Sequence, residues 1–376
     1  MKIGLVLPYS IVKGGGVKEI VLAQQAELQR RGHDAYIITP RPQNHSSDPE
    51  GDHTIFVGGS TDFRSPTKTT VQISAGVTES IREMLNHEKF EIIHFHEPWI
   101  PMLSAQILTR SKAVNVATFH AKLPETVMTR TMAKVITPYT KPILKYIDYL
   151  TAPSDAAAEY VCSLTDKPVA IIPNGIYVKD FKKPARFNDS RKKKTILYVG
   201  RLEGRKGVKY LLHAFKELSQ RNLGVSLVIA GDGVDRSKLE LLAEDLGLDN
   251  VTFTGFISHK DKIKYLSSSD LFCSPALFGE CFGIVLLEAM ASGLVTVAGD
   301  NPGYSSVMNG FGRISLVDPK HVGEFARRLE LLLYEKDLRK LWREWAESEV
   351  PQYNWDKVVD QYEALYRQAL KEKKIA

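Results

Sequence analysis

At 376 residues, with 43% hydrophobic and 25% charged content, the chain is long for one core and comfortable for two at roughly 100 to 200 residues per domain. Three cysteines, Cys162, Cys273 and Cys281, stand in apolar contexts without CxxC or His-rich spacing, which excludes a disulfide scaffold and reads as reduced thiols of a cytosolic protein. A net charge of +6 is mild, no aromatic RNA-type motif accompanies it, and no run approaches the roughly 18 apolar residues of a spanning helix, so nucleic-acid binding and membrane insertion are set aside.

Lys2 to Leu7 has the pattern of a buried strand, and Pro8 ends it short of the roughly 7 to 15 apolar residues of a signal peptide. Gly14, Gly15 and Gly16 follow, then a helix expected from about Val17 to Arg31. Strand, glycine loop and helix start make a phosphate-tolerant turn, with Gly15 and Gly16 as candidate donor contacts, although Gly-x-Gly-x-x-Gly spacing is absent. Apolar runs at 35–39, 54–57, 91–95, 114–119, 149–153 and 169–172, with helical segments such as 78–86 and 101–109 between them, predict a parallel sheet with crossover helices.

Phe181 to Lys194 lacks apolar periodicity and reads as a solvated linker. Strands expected at 195–199, 226–230, 251–254 and 294–298 alternate with helices at 207–219 and 236–246 and with one carrying Glu288. The pattern predicts a second doubly wound α/β domain and a cleft between the two. Residues 321–346 read as helical, and 355–373 as a further helix beyond Pro351. The expected divisions are 1–184, 185–350 and 351–376.

The stretch from Phe278 to Gly293 carries Glu280 ahead of an apolar run, Gly283 where a helix should begin, and Glu288 inside that helix. A helix start offers unpaired N–H groups and a positive dipole end, so the amides of Phe282, Gly283, Ile284 and Val285 could hold a diphosphate. Glu280 would lie beside what the outer phosphate carries, and Glu288 would reach a nucleoside. Spacing alone equally fits an amphipathic helix with a solvated Glu at each end. After the first strand of the second domain, Arg201 supplies a fork of donors and Lys206 a compact ammonium, a pairing suited to a diphosphate leaving group. Arg205, between them, reads as a basic surface turn.

No Asp is followed two residues later by another Asp, so no metal and no cofactor are expected. His120 ends a strand at the edge where α/β sheets bind ligands. His94 and His96 share one strand face and could bind a metal with a third ligand, but none announces itself, and a structural role with Glu97 beside the acceptor is the expectation. Gly231-Asp232-Gly233 reads as a conformational turn. From Ala121 to Asp148, Lys122, Arg130, Lys134, Lys141 and Lys145 face only two acidic residues, Glu125 and Asp148, with apolar side chains among them, as in a basic interfacial segment or an ordinary packed surface helix.

The 278–293 stretch resembles the Glu-x7-Glu signature of family-4 retaining glycosyltransferases with the GT-B fold, down to its closing Glu-Ala-Met-Ala-Ser-Gly. Gly-Arg-Leu…Lys-Gly at 200–207 is similar to that family's donor-phosphate loop, and Ala-Thr-Phe-His at 117–120 to the segment whose His faces the donor sugar. Pro8-Tyr9-Ser10, His-x-His-Glu-Pro and Ala-Thr-Phe-His look like those of phosphatidylinositol mannosyltransferases, peripheral membrane enzymes that use GDP-mannose.

The resemblance implies two Rossmann-like domains, a last helix returning to the first, and transfer of a hexose from a nucleotide sugar with retention. It implies catalytic roles for His120, Arg201, Lys206 and Glu280, a ribose contact at Glu288, and no protein nucleophile. The expected partners are the nucleotide sugar and an anionic membrane surface met by 121–147. The expected location is cytoplasmic, at the inner face of the membrane, and the oligomeric state stays open. A soluble-sugar acceptor, or an epimerase or binding protein of the same fold, are the alternatives.

Overall fold

The structure, a computed structural model, describes residues 1–9, 11, 15–42, 53–64, 70–75, 78–100, 102–120, 136–181, 193–221 and 224–375. The chain begins with the buried strand β1 (Lys2–Val6) and the helix α1 (Gly16–Arg30), followed by β2 (Asp34–Arg41), β3 (Thr54–Arg64), β4 (Thr70–Ala75), α2 (Thr78–Glu88), β5 (Ile92–His96), α3 (Leu103–Leu108) and β6 (Val114–Thr118). Then come a helix at 136–143, here α4, and β7 (Tyr149–Ala152), α5 (Asp155–Cys162) and β8 (Val169–Ile171). The strands form one sheet in the order β4-β3-β2-β1-β5-β6-β7-β8, parallel except for the β3–β4 pair.

That pair departs from the sequence expectation, which ended β3 at Val57. Residues 58–64 are polar and glycine-rich, so no hydrophobic run marks them. Ladder pairing of Gly59 with Ala75 through Arg64 with Thr70 makes them a strand.

The second sheet is built from β9 (Lys194–Val199), β10 (Val225–Ala230), β11 (Val251–Gly255), β12 (Leu271–Ser274), β13 (Thr296–Gly299) and β14 (Leu316–Val317). Its order is β11-β10-β9-β12-β13-β14, all parallel, the doubly wound arrangement expected when each crossover is right-handed. The intervening helices are α6 (Val208–Arg221), α7 (Arg236–Asp245), α8 (His259–Ser268), α9 (Ile284–Ala291), α10 (Pro302–Ser305), α11 (Val322–Tyr334) and α12 (Lys336–Glu349), and the last is α13 (Trp355–Ile375). The sequence had suggested one helix over 321–346. It breaks at Glu335, which is extended (φ −74°, ψ 101°), and buried Arg339 donates to the Leu332 carbonyl at 2.7 Å, satisfying a C-terminal acceptor of α11.

Two compact units result, 1–174 with 355–376, and 175–354, each with its own core. The divisions fall at Asn174/Gly175 and Asn354/Trp355 rather than 184/185 and 350/351. Hydrogen bonding sets them: Ile176 N–H donates to Tyr353 O (2.9 Å), Val178 N–H to Asn354 Oδ1 (3.1 Å), and Phe181 is buried in the second core. From Trp355 onward α13 belongs to the first unit, where the Tyr366 hydroxyl bonds His94, and Arg31 binds Asp360 and Glu363 at 2.7 and 3.1 Å. Among the described residues no helix is long and apolar enough to cross a membrane.

Candidate active site

Open parallel sheets bind ligands outside the strand carboxyl ends where the strand order reverses. In the second sheet that point lies between β9 and β12, and the loops leaving these two strands carry the candidate residues. The Tyr198 hydroxyl donates to the Arg201 carbonyl (2.8 Å) and Leu202 N–H to the Asp232 carbonyl (2.9 Å), so the turn at 231–233 props the loop after β9. One 3-10 turn at Gly204–Lys206 ends at Gly207, whose φ is +72° and where a β-carbon would lie 2.0 Å from the Pro275 carbonyl oxygen. Only glycine permits that approach, and it lays Arg205 and Lys206 against the loop after β12.

The charges there form a chain. Arg201 Nη1 meets Glu203 Oε1 at 2.7 Å, and Arg205 Nε meets Glu203 Oε2 at 3.1 Å. Arg205 Nη1 and Lys206 Nζ both reach Glu280 Oε1, at 2.6 and 2.8 Å. Half of the Arg201 side chain is exposed, against 20% for Arg205, 15% for Lys206 and 13% for Glu280. The expectation of a surface turn at Arg205 is thus corrected: the Gly207 turn folds this residue inward onto two carboxylates. Burial alone would lower the basicity of its guanidinium, but Glu280 and Glu203 outweigh that and raise it.

Gly283 caps α9 at φ +115°, and its carbonyl accepts from Leu286 N–H at 2.9 Å. The helix start therefore lies four residues beyond Glu280, with Ile284 and Val285 half-buried in its first turn. The Phe282 ring is turned into the core, edge-on to Tyr353 at 5.9 Å, so only its main chain is left for a ligand. Glu288 is separated from this group. Its Oε1 takes Lys262 Nζ of α8 at 2.5 Å, a partner 26 residues away in sequence that no motif had signalled.

Gly15, Gly16 and His120 belong to the first unit. Gly15 is extended and caps α1, and both glycines are exposed with open space where a β-carbon would stand. His94 and His96 of β5 and His120 beyond β6 form a buried row. Gln24 donates to His94 Nδ1 (3.1 Å) and His94 Nε2 lies 2.6 Å from Thr118 Oγ1. His96 Nδ1 lies 2.9 Å from His120 Nε2, with the rings stacked at 5.2 Å. Among the described residues His96 Nε2 and His120 Nδ1 have no hydrogen-bond partner.

Burial pulls His120 down to about 3, and burial followed by the nearby His120 does the same to His94. Burial, then His94 and His120, hold His96 well below the usual range. All three are neutral at pH 7, and His120 is a poor proton acceptor there. Their ring nitrogens bond Gln24, Tyr366, Thr118 and each other, and among the described residues no group of three His, Cys, Asp or Glu side chains could hold a metal ion. Glu97, at the strand end, is buried at φ +55° with its N–H on the Thr118 carbonyl (2.9 Å). Arg130 and Lys134 lie outside the described residues. Downstream of them, Tyr139 (59% exposed), Lys141, Lys145 and Tyr146 are all exposed, and Lys145 Nζ stands 4.9 Å over the Tyr146 ring.

Two successive parallel α/β units, each with a strand-order reversal, define the GT-B class of glycosyltransferase. Sucrose-phosphate synthase from Thermosynechococcus elongatus shares the fold with a TM-score of 0.77 and 21% identity over 99% of both chains. HepE from Anabaena, solved with UDP-glucose, has a TM-score of 0.74 and 18% identity over 99% of this chain and 100% of its own. Residues 14–180 match the family model Glycosyltransferase Family 4, and residues 180–349 match Glycosyl transferases group 1. The phosphatidyl-myo-inositol mannosyltransferase of Mycobacterium tuberculosis is 31% identical over 375 residues, covering 97% of this chain and 96% of its own. That of Mycolicibacterium smegmatis is 30% identical over 371 residues, covering 97% and 93%. The chain belongs to glycosyltransferase family 4 and is a glycosyltransferase.

Proposed function

We propose that the enzyme transfers mannose from GDP-mannose to a phosphatidylinositol-type membrane lipid, with retention at the anomeric carbon and without a metal ion. The observation that carries the reaction is the meeting of Lys206 and Arg205 on one oxygen of Glu280, four residues before the start of α9. The full-length likeness to proteins named phosphatidyl-myo-inositol mannosyltransferase supports the choice of mannose and of the lipid acceptor, and the guanine nucleotide is taken from the family resemblance.

Lys206 and Arg201 exchange their carboxylate partners for the diphosphate, and the α9 amides share its charge, stabilising the group most as it departs. Glu280 accepts hydroxyls of the sugar and Glu288 those of the ribose. His120, neutral at pH 7, is not the base of the reaction. With no protein nucleophile, the bond from the sugar to phosphate breaks as the bond to the acceptor oxygen forms on the same face, and the acceptor proton passes to the departing phosphate oxygen.

The test is transfer of labelled mannose from GDP-mannose into phosphatidylinositol vesicles in excess EDTA. A labelled lipid with the donor's anomeric configuration and stoichiometric GDP is expected. Loss of activity restored by Mg²⁺ would overturn metal independence, and label in a water-soluble sugar, or interconversion of the donor sugar alone, would overturn the lipid or transferase reading.

Tyr139 and Tyr146 beside Lys141 and Lys145 support membrane contact, since aromatic rings at the headgroup level and amines on anionic lipid act together. Each lysine near the surface contributes about 1 kcal/mol. The double variant K141E/K145E is expected to sediment with anionic vesicles at least tenfold more weakly, and wild-type binding indifferent to salt would count against the contact.

A further inference from the structure

We infer that Arg205 is a positioning residue of the transfer reaction, the fixed counter-ion that holds the Glu280 carboxylate while Lys206 and Arg201 are drawn to the donor diphosphate. The inference rests on the donor site proposed above and assigns a task to a residue that this reading leaves without one.

The ligand-free charge chain runs Arg201, Glu203, Arg205, Glu280, Lys206, with cations at both ends and one in the middle. The end cations are suited to leave. Arg201 is half exposed, and Lys206 holds Glu280 through one compact ammonium on a flexible stem. Once both turn to phosphate, Glu203 and Glu280 would stand close to each other and to a new anion with a single positive charge between them.

Arg205 cannot leave as easily. Its planar fork spans both carboxylates at once, at 3.1 and 2.6 Å, and Nη1 also lies 3.3 Å from the Gly279 carbonyl. Its own carbonyl accepts from Leu277 N–H at 2.8 Å, so main chain and side chain both fasten the loop after β9 to the loop bearing Glu280. A lysine at 205 could reach one carboxylate but could not bridge two. Removing the middle cation would free the Glu280 carboxylate to swing towards Lys206 in the donor complex.

The test compares wild type, R205M, R205K, E280Q and R205M/E280Q for kcat, KM for the donor and GDP affinity. R205M is expected to lose roughly 30-fold or more in kcat, the usual consequence of removing one partner of a buried charge pair. GDP affinity should stay within about threefold of wild type, because Arg205 acts through the sugar-side carboxylate. KM for the donor should change less than kcat, since the Glu280 carboxylate is misplaced and not removed. R205M/E280Q should be no slower than E280Q, and R205K should recover part of the lost rate.

An R205M enzyme within twofold of wild type, or a double variant slower than E280Q by the full R205M factor, would overturn the inference. Should R205M not fold, R205K decides: full kcat overturns the inference, and a reduced kcat with GDP affinity intact supports it. Wild type that transfers no mannose from GDP-mannose would instead overturn the functional reading, and the comparison would then be made with the sugar nucleotide that raises the melting temperature most.

Discussion

E280Q is expected to lower kcat by about 10²- to 10³-fold, or roughly 3–4 kcal/mol of transition-state stabilisation, while K206M loses a similar amount. Glutamine keeps the shape of the side chain but removes the charge that orders Lys206 and Arg205 on Oε1 and the acceptor strength a sugar hydroxyl would meet. The two effects should separate by substrate part. K206M should also weaken free GDP, because the ammonium is assigned to the phosphates, whereas E280Q should leave GDP binding nearly intact. Initial rates with saturating donor, beside GDP titrations monitored by thermal melting, distinguish them. Turnover unchanged in both variants would end the proposed donor site.

The second large effect is acid lability of the first unit. His94 and His120 have an unfolded value of 6.5 and are pulled down to about 3 in the fold by burial, so the unfolded chain binds protons that the folded one refuses. Above pH 6.5 neither state binds them and the pair has no effect on stability. As pH falls from 6.5 towards 3 the unfolded state gains, by about 2.7 kcal/mol per pH unit for two such groups, and His96 adds to the loss in the same direction.

By pH 3 the two groups together remove about 9 kcal/mol, which against a typical stability of about 5–15 kcal/mol is enough to open a unit in the lower half of that range, from about two pH units below the onset. Hydrogen exchange followed from pH 7 to pH 4 should show protection of β5, β6 and α13 falling steeply. H120N should flatten the slope by about 1.4 kcal/mol per pH unit. A slope identical in H120N and wild type would show that His120 is not held neutral by burial.

Much of the fold was legible because local chemistry reports it directly. Lys2 to Leu7, Thr195 to Val199 and Ser226 to Ala230 are apolar runs of strand length, and their alternation with 3.6-period segments leaves few topologies for a parallel sheet. The hairpin extending β3 was illegible because residues 58–64 carry no apolar run and are held as a strand by main-chain ladder bonds to residues 70–75. The break at Glu335 was illegible for a related reason: the Arg339 side chain that satisfies Leu332 belongs to the following helix.

At the site, spacing and residue chemistry offered Glu280, Lys206 and Gly283 as candidates, and the family resemblance chose them over a solvated helix and a basic turn. The nomination of Arg205 as a surface residue failed where partners are distant: Glu280 is 75 residues away, brought to 2.6 Å only after β9 and β12 pair side by side. Lys262 on Glu288 follows the same rule. Periodicity, glycine placement and charge type therefore determined which elements form and which residues can do chemistry. Tertiary structure alone decided which cation holds which carboxylate and which imidazoles stay neutral, since pairing and desolvation depend on neighbours that strand order supplies and chain order does not.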